Sequence, residues 1–224
     1  MPAQPTPAPD DTRQRLIAAG AEVFGRKGFR AGTVREIITL AGVNLGAVNY
    51  HFTDKLGLYT AVLQHCVGSA VKRFPPDLGV TAQASPDERL RAFVRSTLLR
   101  LFEDRACAWH GPMMAREFAD PTPALDAVAA SAMQPLALHL AGIVRARAPH
   151  LDDEALHLCC LSIIGQCFFW GFGRPMLVRL PWVKRLPTVE VLTDHITRFS
   201  LAALTSLTSQ GPKKRKSAPC TASR

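Results

Sequence analysis

At 224 residues, with 47% apolar and 7% aromatic side chains, the chain is long enough to bury a sizeable core and too apolar to be disordered throughout. The net charge of +9 is unevenly placed: residues 1–75 carry nine Lys/Arg against five Asp/Glu, residues 76–209 carry thirteen of each, and the last five positive charges follow residue 209. A neutral centre between basic ends predicts that one terminal region meets a polyanion while the centre has another task.

In chain order, residues 1–9 are a Pro/Ala-rich leader with the composition of a disordered segment. The opening MPAQPTPAPDD puts prolines where a signal peptide needs basic residues and then an apolar run, so a cytoplasmic location is expected. Asp11 with Gln14 reads as a capping box for a first helix with Leu16, Ala19, Val23 and Phe24 on one face, ended by Gly28. Thr33 and Glu36 form a second box, T-x-x-E, followed by Val34, Ile37, Ile38 and Ala41 at helical spacing, which predicts a helix over about 33–41. Gly42 suits a left-handed turn, and Asn44 caps a third short helix whose inward residues are Val48 and Phe52. Asp54 caps a fourth helix with Leu58, Val62 and Cys66 inward, which stops before Pro75-Pro76.

Helical patterning returns at about 86–104, 109–119, 123–148, 152–177 and 188–208, separated by prolines, and no alternating strand pattern of useful length appears. The expected fold is therefore all-α, with about nine helices: a three-helix helix-turn-helix domain over 10–75, linked by its fourth helix to a larger helical bundle over 76–209. A flexible basic tail, 210–224 with KKRK at 213–216, follows; it either adds nonspecific DNA affinity or has no defined role. Ala155 to Gly173 contains no Asp, Glu, Lys or Arg and approaches the length of a membrane span, but His157, Ser162, Gln166 and three glycines dilute it, and a buried bundle helix is the expected state.

Two short helices joined by a glycine turn can place the second in the DNA major groove. The candidate contacts are Thr33, Arg35, Asn44, Leu45, Gly46, Ala47, Asn49, Tyr50, His51 and Lys55: small residues let the backbone approach, while hydroxyl, amide, imidazole and ammonium groups reach bases or phosphates. Thr33 as a plain cap, His51 as packing and Lys55 as a solvated surface charge remain competing readings. The six cysteines show no CxxC pair and sit mostly in apolar helical stretches, so reduced core thiols are expected; the vicinal Cys159-Cys160 and the isolated Cys107 leave a redox sensor as an alternative. The seven histidines have no metal-ligand spacing, and no GxSxG, HExxH, P-loop or paired carboxylates occur, so neither enzyme nor metal nor cofactor is expected.

Residues 12–60 resemble a TetR-family DNA-binding domain through Phe24, Gly28-Phe29, Thr33, Ile37, Ala41-Gly42-Val43, Gly46, and His51-Phe52 followed by Lys55. The family usually has tyrosine where this chain has Asn49; the phosphate contact expected there passes to Tyr50, or Asn49 reads adenine instead. The central region resembles CecR-like regulators through Trp109-His110, Met114 to Glu117, Asp120 to Leu125 and Ser162 to Cys167. The resemblance implies a repressor whose larger domain dimerises, here through the last two long helices, and binds a small organic effector, frequently governing efflux or drug-response genes. A palindromic DNA operator is the implied partner, and an architectural DNA binder without a ligand is the alternative. Trp109, His110, Met113, Arg116, Phe118, Gln166, Phe169 and Trp170 are the candidate pocket residues, while Met114, Phe168 and Phe172 belong to the same Met/aromatic set; pocket lining and core packing both fit such a set.

Overall fold

Residues 9–102 and 110–209 are described by a computed structural model, which is helical with no strand in that span. The leader through residue 8, Cys107, Trp109 and the basic tail lie outside the described residues. Among the described residues ten helices occur: α1 Pro9–Ala31, α2 Val34–Ala41, α3 Leu45–Phe52, α4 Lys55–Arg73, α5 Pro86–Phe102, α6 His110–Ala119, α7 Ala124–Arg147, α8 Asp153–Phe172, the single turn α9 Arg174–Leu177, and α10 Val189–Ser209.

The first four follow their caps. Helix α1 starts at Pro9, before the expected Asp11 box, and Asp11 instead lies within it, 3.9 Å from Arg15. Gly28, at φ 77°, breaks the regular helix where a glycine stop is predicted, and one more turn follows to Ala31. Thr33 caps α2 through both halves of the predicted box: its hydroxyl accepts from Glu36 N at 3.2 Å, and the Glu36 carboxylate accepts from Thr33 N at 3.2 Å. Gly42 takes the left-handed conformation at φ 65°, closing α2. Asn44 caps α3 by accepting from Ala47 N at 3.1 Å, and Asp54 caps α4 by accepting from Gly57 N at 2.7 Å.

These helices share one core. Leu16 and Phe24 of α1, Ile37 of α2, Val48 of α3, and Leu58, Val62 and Cys66 of α4 are all buried. Gly20 allows α1 and α4 to close up, since a Cβ there would lie 2.8 Å from Val62 Cγ2. The cluster extends past Pro75-Pro76 to Met113 and Met114 of α6 and Ala124 and Val128 of α7, so the two halves of the chain are packed together rather than merely tethered.

A second core joins α5, α7, α8 and α10 through Phe93, Leu98, Ile143, Ile163, Cys167, Leu192 and Ile196. Two elements depart from the sequence reading. Helix α7 widens into a π turn at Ala129–Met133, where Pro135 has no N–H to return to the carbonyl four residues earlier. The stretch expected as one helix over 152–177 stops at Gly173 and resumes as α9. Helix α8 is long and apolar enough to cross a membrane, as is α7, yet Leu156, Cys160, Ile163 and Cys167 bury one α8 face inside the bundle.

Candidate nucleic-acid interface and effector cavity

Helix α3 carries most of the candidate DNA contacts. Val48 and Phe52 turn inward, which leaves Asn44, Leu45, Gly46, Asn49 and Tyr50 exposed, with Ala47 and His51 half-buried. Tyr50 is 79% exposed, too much for a packing role. His51 lies edge-on to Tyr50, with ring centroids 4.9 Å apart, and tilts toward Phe52, so its imidazole is both packed and available at the rim. No acidic residue lies on α3, and Thr33 and Arg35 at the start of α2 are exposed beside it. Arg15 of α1 steadies the pair by donating to the carbonyls of Ala41 and Gly42, which close α2.

Lys55 occupies a more structural position than its sequence suggests. Its Nζ donates to Arg30 O at 3.2 Å and stands 4.8 Å from the Phe29 ring centroid, so it ties the end of α1 to the start of α4. Lys27 is likewise paired, with Glu36.

The candidate pocket residues do not gather at one place. A cavity of about 300 Å³ opens among α4 to α8, lined by residues that include Val67, Phe93, Met114, Phe118, Leu136, Ile164, Phe168 and Phe172. Of the candidate pocket set, Phe118 lines it. Met113 is packed into the first core, because it points from α6 toward α1 and α4. Arg116 is turned away to α1, where its guanidinium donates to the carbonyls of Phe24, Gly25 and Arg26, the last at 2.9 Å. Gln166 faces α10, reaching Ser200 Oγ at 3.5 Å and its own-helix Ser162 O at 3.3 Å. Phe169 is exposed on α8, Trp170 packs against the second core, Trp109 lies outside the described residues, and only the backbone of His110 is described. Arg100 and Thr97 of α5, which the sequence reading did not single out, stand in the cavity wall.

Helix α6 lies between the cavity and helices α1 and α4. Met114 and Phe118 face the cavity, while the intervening Arg116 holds α1 and the buried Glu117 accepts from Tyr59 Oη of α4 at 2.7 Å. Thr122 also donates to Glu117 through its N–H at 3.0 Å, so the carboxylate is well satisfied. Burial and this neighbour raise the Tyr59 phenol well above its ordinary range, which keeps it a donor. At the surface, Arg30 pairs with Asp120 at 2.9 Å.

The thiols fit a core role with one correction. Burial raises Cys159, pushes Cys160 up to about 11 and Cys167 up to about 12, the opposite of what a sensor thiolate requires. Cys66, however, is disulfide-bonded, so the reading of every cysteine as a reduced thiol does not hold there.

A glycine-turn helix pair with an exposed polar second helix, carried on an α-helical body, defines a helix-turn-helix DNA-binding protein. Comparison with protein families agrees: residues 16–62 match the bacterial regulatory proteins of the tetR family, and residues 86–204 match the C-terminal domain of the HTH-type transcriptional dual regulator CecR. The chain belongs to the TetR family of DNA-binding transcription regulators, with a CecR-type C-terminal domain. It is 29% identical to the dual regulator CecR of Shigella flexneri, over 77% of this chain and 82% of that one, and 29% identical to the HTH-type transcriptional repressor NicS of Pseudomonas putida, over 88% and 93%. Among solved structures, FadR from Bacillus subtilis in complex with stearoyl-CoA superposes with a TM-score of 0.64 at 16% identity, covering 84% of this chain and 97% of that one, and so shares the fold.

Proposed function

We propose that the protein is a cytoplasmic, homodimeric repressor that is released from a palindromic operator when a small organic effector enters the cavity among α4 to α8. The observation that carries this reading is the double engagement of α6: Met114 and Phe118 meet the cavity, while Arg116 and Glu117, between them, hold α1 and α4 of the DNA-binding part. An occupant that moves α6 therefore acts on the same contacts that orient the reader, and a ligand with different affinity for the two arrangements shifts their populations.

Dimerisation is assigned to α8 and α10. Leu158, Leu161 and Phe169 on α8, and Val191 and Phe199 on α10, are each at least half exposed, which is a costly arrangement for a lone protomer with so apolar a helix. Gly165 adds to the fit, because a Cβ there would meet nothing within 4 Å, leaving room for a neighbouring helix. Two copies joined by a four-helix interface present two α3 helices to successive major grooves. The reader contacts are assigned to Thr33, Arg35, Asn44 to Ala47, Asn49, Tyr50 and His51, with Lys55 mainly positioning. Genes of efflux or drug response are the proposed targets.

The test is retardation of DNA from the regions neighbouring its own gene, followed by release with a panel of apolar drugs and metabolites. Absence of retardation of every neighbouring promoter at moderate salt would sink the regulator reading. Retardation that no panel member reverses favours a DNA binder without an effector.

A further inference from the structure

Resting on the reading of the cavity as an effector site, we propose that the effector is an anionic amphiphile, a carboxylate on an apolar body, whose head group is held by the guanidinium of Arg100. The cavity wall is almost wholly apolar, and Arg100 is the only charged side chain in it among the described residues. Arg100 is 6% exposed, yet no Asp or Glu of the described residues pairs with it. Its hydrogen bonds go to neutral acceptors: Nη1 donates to Phe74 O at 2.9 Å and Ser96 Oγ at 2.6 Å, and Nη2 donates to Thr97 Oγ1 at 2.9 Å. Nε donates to no group of the described residues.

Among the described residues the surroundings supply no countercharge. Cys160 and Cys167 are held as neutral thiols, and burial brings Arg100 down only to about 10, so the guanidinium stays charged at neutral pH. The other buried charged side chain among the described residues, Glu117, shows the usual solution, a carboxylate surrounded by hydroxyl and N–H donors. Arg100 has no corresponding anion among the described residues. Tethering the end of α4 through Phe74 O needs only a neutral donor, whereas a guanidinium in an apolar wall carries a desolvation cost that a bound anion offsets. A guanidinium fork matches a carboxylate in geometry as well as charge. Phe93, Phe118, Phe168 and Phe172 supply apolar walls for the remainder of the ligand, and about 300 Å³ holds roughly ten water-sized groups, the bulk of a medium-chain or phenylalkyl acid.

The test is calorimetric titration of the full-length protein with decanoate and 4-phenylbutyrate, each beside its alcohol, 1-decanol and 4-phenylbutanol. The wild type is expected to bind each acid about tenfold or more tightly than the matching alcohol, as a charge-assisted contact requires. In Arg100→Met that preference disappears, through weaker acid binding with alcohol binding retained, while Arg100→Lys retains part of it. If Arg100→Met does not fold, the wild-type contrast and Arg100→Lys decide. Equal binding of acids and alcohols by the wild type, or an acid preference undiminished in Arg100→Met, overturns the anion and leaves an apolar effector cavity standing. If neither acids nor alcohols bind, the anion and the effector reading of the cavity fall together.

Discussion

Asn49 is exposed on α3, the proposed reader, and an amide there can discriminate adenine by paired hydrogen bonds. Asn49→Ala is therefore expected to relax base preference at one operator position, costing about 1–3 kcal/mol against the best site and little against random DNA. Arg35→Ala is expected to weaken all sequences alike and to lower the salt dependence of binding by about one phosphate contact, measured as the slope of log affinity against log salt. Competition with randomised operators checks both. The buried thiols give a third expectation: with Cys160 at about 11 and Cys167 at about 12, both are protonated at pH 8, so alkylation in the native protein is slow and becomes fast only on unfolding. Rapid native alkylation of either, read by mass spectrometry, would return the redox-sensing reading to favour. Why Arg100 was illegible in the sequence is a matter of register. Arg91, Arg95 and Arg100 look alike in the string, but Arg91 and Arg95 pair with Asp194 and Glu190 of α10, whereas Arg100 is nine residues beyond Arg91 and so faces the opposite side of α5. Which side of a helix is inside depends on its neighbours.

At the scale of elements, local chemistry decided most of the outcome. Thr33, Asn44 and Asp54 each cap the helix expected of them, and Gly42 turns where only a left-handed residue fits. Thr33→Ala removes the α2 capping box and is expected to cost about 1 kcal/mol, lowering the melting temperature by about 2–4 °C. Gly42→Ala combines a strained φ with a Cβ 2.9 Å from Arg15 Nη2, so it is expected to destabilise further; calorimetry of the two variants ranks them. The failures have equally local causes. Helix α1 begins at Pro9, ahead of Asp11, which sits within the helix and pairs with Arg15 rather than capping it. The break at Gly173 and the π turn before Pro135 lie inside long apolar runs, where helical periodicity alone gives no sign of an interruption.

For the whole molecule, the all-α class and the helix-turn-helix were readable from patterning, and the joint between the two parts was not. In sequence Arg116 is a candidate pocket residue, but it bonds to α1 and the adjacent Glu117 to α4, more than fifty residues away, and such long-range partners leave no local trace. Arg116→Ala is expected to leave effector binding intact while weakening its power to release DNA, because Met114 and Phe118 on the cavity face of α6 are untouched and its grip on α1 is lost. The apolar stripe on α8 was visible, though its exposed half became apparent only in three dimensions. Phe199→Glu, placed on the assigned dimer face, is expected to convert dimers to monomers by light scattering and to weaken operator binding at least tenfold through lost bivalency. The central claim is that α3 reads a specific operator. Its most direct measurement is an anisotropy titration of labelled DNA from upstream of the protein's own gene, at physiological salt with excess unrelated duplex. The account predicts saturable binding that survives the competitor and loses its site preference in Asn49→Ala; binding no tighter than to the unrelated duplex would contradict it.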